Sequence, residues 1–323
     1  MNALVFNRKL KFVDDYPSPS PPPGESLIKV LMAGICNTDL EITKGYMGFT
    51  GVLGHEFVGV VEKSGRKDLL GRRVVGEINC PCRECYICRK GLGKHCPNRT
   101  VLGIQGRDGV FADYITLPDD NLLVVPDNLS DEEATFTEPL AAAFEILESI
   151  HIKPTDRVLL LGDGKLGILC AQVVSGTGCD FLVVGKHREK MKILKDRKIN
   201  TSLLDDFKEN ISKNDLIKYD VVIECTGNPS GFRMARDMVR PRGTIVQKST
   251  YAQNPDVNIS MLVVDEIRLV GSRCGPFKPA LSALAKGKID VNLLIWDILP
   301  FGDALSAFEK ASRKGAGKVL LKM

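Results

Sequence analysis

Five of the chain's ten cysteines fall within positions 80 to 96, in the stretch CPCRECYICRKGLGKHC. Cys82, Cys85, Cys88 and Cys96 stand there as C-x2-C-x2-C-x7-C in a loop containing Gly and Lys. Four thiolates satisfy one tetrahedral zinc ion, and a site filled that way has no vacancy for a substrate. The metal so bound is structural and cross-links a loop with too few apolar residues to hold itself. A disulfide pair or a redox C-x-x-C is the competing reading, but neither accounts for four thiols in this spacing without a thioredoxin-type βαβ context. Cys80 falls outside the spacing and reads as a spare thiol.

A second chemical signal lies in LLLGDGKLG, where Gly162, Gly164 and Gly167 take G-x-G-x-x-G spacing directly after an apolar run and ahead of a helical stretch. In that context the first glycine permits a tight turn, the second lets backbone approach a pyrophosphate, and the third lets helix and strand pack closely. The phosphates then meet the helix N-terminus, so Lys165 and Leu166 join the glycines as candidate cofactor contacts. The end of the next apolar run decides between cofactors, because a carboxylate there binds the ribose hydroxyls of NAD. Here that run ends VVGKHREK. Gly185 stands where the acid is expected and leaves room for a 2′-phosphate, and Lys186, His187 and Arg188 offer cationic partners for it. The alternative is a solvated helix N-terminus whose charges meet no ligand. The pattern predicts NADP(H).

Two textures of sequence must position these groups. Up to about position 130, short runs such as ESLIKVLMAGI, HEFVGVVEKSG, RRVVGEI and FADYITLP are punctuated by Gly and Pro, which suits a β-rich, barrel-like domain. From Arg157 onward six strand candidates, RVLLLG, DFLVVG, NTSLLD, YDVVIECTG, GTIVQKST and IRLVGSRCG, alternate with amphipathic stretches such as KLGILCAQVVSG and PSGFRMARDMVRPRG. That is the pattern of a doubly wound parallel sheet, so the fold class is α/β. After Gly275, KPALSALAKGKID and FGDALSAFEKASRKG read as helices, and GKVLLKM as a closing strand that packs back on the first domain.

Composition excludes several classes of function. The 323 residues, 44% apolar and 26% charged, suffice for two domains with real cores and argue against disorder. The 44 basic and 40 acidic residues are spread along the length and leave a formal charge of +4, so neither a nucleic-acid surface nor a polybasic membrane anchor is expected. No apolar run approaches a membrane span, and the opening MNALVFNRKLKFVDDY alternates like a strand rather than reading as a signal or transit peptide. A cytoplasmic setting is expected, in which clustered thiols stay reduced and more often bind metal than pair.

A more scattered constellation remains. AGICNTDLE contributes Cys36, LGHEFVG contributes His55 and Glu56, and FTEPLA contributes Glu138. The segments GICNTD, GHEFVG, the four-cysteine loop, TEPLA, GDGKLG and ECTG, in that order, resemble the zinc-dependent medium-chain alcohol and polyol dehydrogenases along essentially the whole chain. The sorbitol and threonine dehydrogenase branch is the nearest in character, since Glu138 stands where the alcohol dehydrogenases proper place a cysteine. The resemblance implies a GroES-like catalytic domain over 1–139, to which 277–323 return, and a Rossmann domain over 140–276. It further implies Cys36 and His55 as ligands of a catalytic zinc, Glu56 as a direct or exchanging ligand, and Glu138 as a ligand or a hydrogen-bond partner of zinc-bound water. By the same match Asp39 holds the second ring nitrogen of His55. The chain has four histidines, and the other three, His95, His151 and His187, lie in the cysteine loop, near a helix end and in the phosphate-binding segment.

The expected reaction is hydride transfer between NADP(H) and a primary or secondary alcohol or polyol and its carbonyl product, with two zinc ions per chain, one catalytic and one structural. Thr38 matches the family's proton-relay hydroxyl, whereas position 41, often histidine in the family, is Glu41. Thr226 and Gly227 match the segment lining the nicotinamide, and Tyr46, Phe49 and the loop TVLGIQGRDG are candidates for bounding the substrate. The alternatives are an aldehyde or ketone reductase using NADPH in the cell, and a zinc-binding interaction module without catalysis. Family analogy implies a homodimer or homotetramer, formed in part through IRLVGSRCG.

Overall fold

The Gly- and Pro-punctuated runs form strands: β1 (Glu25–Gly34), β2 (Glu56–Lys63), β3 (Arg73–Gly76), β4 (Tyr114–Pro118) and β5 (Leu122–Val124). β1 is the axis of their sheet, antiparallel to both β2 and β4. Its Leu27, Ile28, Val30, Met32 and Ala33 are buried, which is why that run is apolar nearly throughout rather than alternating. Ala3–Asn7, Lys9–Val13 and Gly51–Val52 make a small second sheet, and Asn79–Cys80, Thr100–Leu102 and Gly106–Arg107 a third. Between β1 and β2 lie one short α-helix, α1 (Asn37–Ile42), and a single 3-10 turn at Tyr46–Gly48.

The structure is a computed structural model that describes residues 1–213, 217–250 and 257–323. It divides into two compact units, one comprising Met1–Pro139 with Phe277–Met323 and the other Leu140–Pro276. In the second unit all six strand candidates form: β6 (Arg157–Leu161), β7 (Asp180–Gly185), β8 (Asn200–Leu203), β9 (Tyr219–Glu224), β10 (Val239–Gln247) and β11 (Arg268–Gly271). Every pairing is parallel and the order is β8-β7-β6-β9-β10-β11, the dinucleotide-binding arrangement in which strand order reverses between the first and fourth strands. The α/β expectation therefore holds. Helices α2 (Lys165–Ser175) and α3 (Arg188–Asp196) follow the first two strands. The stretch PSGFRMARDMVRPRG is helical only over Pro229–Met238, with the Asn228 side chain capping Ser230 N–H; from Val239 it is already β10.

The chain then forms β12 (Ile295–Pro300) and β13 (Lys318–Lys322). β13 pairs antiparallel with β1, setting Leu320 against Gly34 and Leu321 against Ala33, and parallel with β12. GKVLLKM thus becomes an interior strand of the first sheet, flanked on both sides. β12 carried no strand expectation, and its outward Trp296 is 53% exposed. No helix among the described residues is long and apolar enough to cross a membrane.

Outside the apolar core the first unit is tied by a forked ion pair, Arg107 Nη1 and Nη2 donating to Glu25 Oε2 and Oε1 at 2.8 and 2.7 Å, with Nη1 also on the Thr116 carbonyl at 3.0 Å. Burial works against the Glu25 carboxylate, but Arg107 outweighs it and holds the carboxyl below its ordinary value. Its contribution is therefore complete above the unfolded value of about 4.3 and is lost as pH falls through the lower folded value. Arg107→Met is expected to lower stability at neutral pH by about 2 kcal/mol, and the difference from wild type should shrink in acid, measured by denaturant unfolding at pH 7 and pH 3.

Candidate active site and metal centres

Ligand atoms of Cys36, His55 and Glu56 all lie within 4.8 Å of one another, although they come from the end of β1, the turn before β2 and the first residue of β2. One buried carboxylate does most of the positioning. Asp39, fully buried, accepts the Cys36 N–H on Oδ2 at 2.8 Å, closing the first turn of α1 as a capping-box acid does, and accepts the Gly54 N–H on Oδ1 at 3.2 Å. The same Oδ1 stands 3.3 Å from His55 Nδ1, too poorly aligned for a full hydrogen bond. With Nδ1 facing Asp39, Nε2 is the nitrogen left for a metal. Gly54 reaches this turn at φ +96°, and a Cβ there would lie 2.9 Å from the Phe111 ring, so no other residue fits.

The charges in this pocket are balanced by a residue that sequence reasoning missed. Lys318, at the start of β13, is 3% exposed, and its ammonium donates to both oxygens of Glu56, at 2.6 Å to Oε1, and to the Ile35 carbonyl at 3.4 Å. It also stands 5.8 Å from the centre of the Phe136 ring. The signal available in sequence was a lysine opening the apolar run KVLL, but its partner is 262 residues away. Glu56 can fold back here only because β1 ends in Gly34, where a Cβ would meet Glu56 Oε2 at 2.5 Å.

Burial opposes the charged form of His55, yet Asp39 and Cys36 together hold its pKa well above the ordinary value. Burial likewise pushes the Glu138 carboxyl up to about 7; Glu56 and Glu77 add to this, and His55 and Lys318 oppose it. Glu138 is not among the three residues whose ligand atoms lie within 4.8 Å of one another. One thiol, one imidazole and carboxylate oxygens are a donor set that suits zinc with a position left open. The Cys36 Sγ lies 3.7 Å from Thr38 Oγ1, so the hydroxyl adjoins the cluster. Glu41, in contrast, is 45% exposed and tied to Lys44 at 2.8 Å. Phe49 is buried and Tyr46 is 45% exposed. A cleft of about 480 Å³ lies between Met47–Thr50 and Ile104–Asp108, so the Phe49 segment and part of the TVLGIQGRDG loop do face each other.

Cys82, Cys85, Cys88 and Cys96 converge as a group. Their sulfur separations, 3.9 Å for Cys82–Cys88, 3.5 Å for Cys85–Cys88, 3.7 Å for Cys85–Cys96 and 3.5 Å for Cys82–Cys96, match the edges of about 3.8 Å of a tetrahedron with Zn–S bonds of about 2.3 Å. Backbone N–H groups of Glu84 and Cys85, directed at Cys82, pull its thiol down to about 6. Cys80 points elsewhere: its buried sulfur lies 3.9 Å from the Ile78 carbonyl and accepts from Asn121 Nδ2 at 3.6 Å, and burial pushes its thiol up.

In the second unit the three glycines of the β6–α2 turn serve three different constraints. Gly162 has φ +119° and would place a Cβ 2.6 Å from the Cys225 carbonyl oxygen; Gly167 would drive one into the Gly162 carbonyl; Gly164, capping α2, has nothing within 4 Å. Only the last faces open space, where a phosphate can approach bare backbone at a helix start flanked by Lys165 and Leu166. The space beside Gly185 is not open as expected: a Cβ there would lie 2.7 Å from Asp163 Oδ2 and 2.6 Å from Met191 Cε. The room that the missing side chain leaves is therefore taken by Asp163 rather than kept for a ligand. Lys186 and Arg188 are exposed beside it and His187 is 43% exposed. On the neighbouring turn Thr226 is held through its N–H, at 2.7 Å, and its hydroxyl by buried Glu224, and Gly227 N–H donates to Ser249 Oγ at 2.8 Å.

A parallel sheet with a glycine turn at its switch point, in a chain that also gathers a Cys-His-Glu cluster and a four-thiol knot, defines a metal- and dinucleotide-dependent oxidoreductase. Two family models match, the alcohol dehydrogenase GroES-like domain over residues 22–127 and the zinc-binding dehydrogenase domain over 166–286. Sorbitol dehydrogenase of Halalkalibacterium halodurans is 30% identical over 96% of this chain and 94% of its own length. D-arabitol-phosphate dehydrogenase of Enterococcus avium is 28% identical over 91% of this chain and 89% of its own. Among solved structures, an alcohol dehydrogenase of E. coli CFT073 complexed with NADH superposes with TM-score 0.91 at 26% identity, covering 100% of this chain and 99% of that one. A zinc-binding dehydrogenase of Sinorhizobium meliloti bound to NADP superposes with TM-score 0.89 at 25% identity, with the same coverage. The chain belongs to the zinc-dependent medium-chain dehydrogenase family.

Removing one partner of a buried ion pair leaves the other charge stranded. Lys318→Met is accordingly expected to lower stability by about 3 to 5 kcal/mol in chelator-treated protein, and Lys318→Met combined with Glu56→Leu to recover most of that loss, as read by denaturant unfolding. In metal analysis, Cys85→Ser should lose one equivalent of zinc while Cys80→Ala loses none.

Proposed function

We propose that this chain is an NADP(H)-dependent polyol dehydrogenase with two zinc ions, exchanging a hydride between the cofactor and a primary or secondary alcohol of a polyol and its carbonyl product. The observation that carries this reading is the convergence of Cys36, His55 and Glu56, oriented by Asp39 and balanced by Lys318, in a chain that also holds a glycine turn at the switch point of a parallel sheet. A polyol is favoured because relatives similar over nearly the whole chain are named sorbitol dehydrogenase, D-arabitol-phosphate dehydrogenase and D-xylulose reductase. The preference for NADP(H) rests on the absence of an acid at Gly185 and on Lys186, His187 and Arg188. Reduction of a carbonyl uses the same groups in reverse.

Cys36, His55 and Glu56 would hold a catalytic zinc ion, with Glu138 as an exchanging ligand or a partner for water. A zinc ion held there would supply Lewis-acid polarisation of the substrate's oxygen. The nicotinamide cofactor supplies the hydride acceptor. Thr38 accepts the substrate's hydroxyl proton and passes it outward, a role that a side chain both donating and accepting can fill. Asp39 keeps His55 from rotating away. Gly162, Gly164, Lys165, Leu166 and Gly167 seat the pyrophosphate, and Thr226 and Gly227 border the nicotinamide. The four thiolates of Cys82, Cys85, Cys88 and Cys96 hold the structural ion.

A homodimer paired through the outer edge of β11 fits the same reading, since Leu269 on that strand is 48% exposed and Val263 and Val264 just before it are 71% and 73% exposed. Light scattering tests it. The cytosol is the compartment in which such a thiol set stays reduced.

The deciding assay offers a panel of polyols, simple alcohols and their carbonyls with NADP(H) and NAD(H), before and after chelation. Turnover with polyols, at higher kcat/KM for NADP(H) and abolished by chelation, is expected. No nucleotide-dependent turnover at two zincs per chain would end the dehydrogenase reading, and preference for NAD(H) would end only the cofactor assignment. Thr38→Val should lower kcat by about a hundredfold or more with both zincs retained.

A further inference from the structure

Two oddities of sequence sit at the adenosine end of the nucleotide site: an aspartate inside the glycine turn, at 163, and a glycine at 185, where an acid is expected. One interaction accounts for both. Asp163 is 7% exposed and its side chain crosses from the β6–α2 turn to the end of β7. There Oδ2 accepts the N–H of Lys186 at 2.8 Å and of His187 at 2.6 Å, and lies 3.0 Å from His187 Nδ1. A side chain at 185 would collide with Asp163 itself, at 2.6 Å from its Cβ and 2.7 Å from Oδ2. Glycine at 185 is therefore the condition for the carboxylate to arrive from the neighbouring turn.

We propose that Asp163 is a positioning residue for cofactor selectivity, holding the backbone of Lys186 and His187 and the ring of His187 so that this turn addresses a 2′-phosphate. A carboxylate carried on the second strand turns outward and takes the ribose hydroxyls. Here the carboxylate comes from the glycine turn, and its Oδ2 is directed at two backbone donors and a ring nitrogen, so its charge is turned inward. What remains on the ribose side is the outer edge of the His187 ring between two exposed cations, Lys186 and Arg188. Ordering the turn before the ligand arrives removes an entropic cost from binding, which is how a residue that does not touch the ligand raises affinity for it.

This assignment rests on the NADP(H) reading, and the experiment separates the two. The probes are 2′,5′-ADP and 5′-ADP, which differ only in the 2′-phosphate, titrated calorimetrically into the zinc-loaded protein. Wild type is expected to bind 2′,5′-ADP more tightly. In Asp163→Asn, nearly isosteric and still able to accept one N–H, and in Gly185→Ala, the ratio of the two affinities should fall about tenfold, the equivalent of one charge-assisted hydrogen bond, with 5′-ADP binding changed less than about twofold. His187→Ala should lower the ratio as well, and Asp163→Asn added to it should lower the ratio little further, because the two act as one unit. Equal weakening of both probes would reduce Asp163 to a purely structural role and overturn the proposal, as would an unchanged or increased ratio. If wild type binds 5′-ADP as tightly as 2′,5′-ADP, the NADP(H) reading itself fails.

Discussion

Burying two carboxylates in one small volume is the constraint on which the first unit turns. Asp39 and Glu56 are both buried close to the buried His55, and an arrangement of that kind persists only if each anion has hydrogen-bond donors or a counter-charge. Asp39 is satisfied by backbone N–H groups on two separate segments, and in being satisfied it fixes where those segments lie. Glu56 is satisfied by Lys318, and that pairing requires the last strand of the chain to lie against the first strand of the main sheet. The return of the C-terminal segment is thus part of the site's electrostatics as well as of the sheet's packing.

The two clusters of metal-type side chains differ in how much of the fold they need. The four-thiol knot is assembled within fifteen residues of chain by a few turns, so its local spacing nearly suffices. The Cys-His-Glu cluster draws on two segments twenty residues apart, on a glycine at 34 that clears space for a carboxylate, and on a lysine near the C-terminus. A site that leaves a position open for substrate needs its ligands held from outside, because the metal alone does not complete a closed polyhedron.

On the nucleotide side the same glycine spacing conceals three unrelated demands. Gly162 answers to backbone conformation, Gly167 to the packing of α2 on the turn, and Gly164 to open space. Gly185 answers to a fourth, the passage of a neighbour's carboxylate. A pattern of glycines records that side chains are excluded but not what excludes them.

What the sequence by itself determined is what depends on neighbours along the chain. The six alternating runs became β6 to β11 in the expected parallel sheet, the glycine turn fell between β6 and α2, and the cysteine spacing corresponded to a convergent set of sulfurs, because strand period, turn chemistry and short loops are local properties. Helix ends were less legible: VRPRG continued an amphipathic pattern yet became strand, since pairing with β9 outweighed it. The grouping of Cys36, His55 and Glu56 was legible only through the order of motifs, not through any spacing. Only the tertiary structure decided that Lys318 neutralises Glu56, that Asp39 serves both Cys36 and the Gly54–His55 turn, and that the space at Gly185 belongs to Asp163. Each of these sets a buried charged group against partners that folding brings to it, and the free energy of such a meeting depends on burial and distance, which no linear pattern encodes.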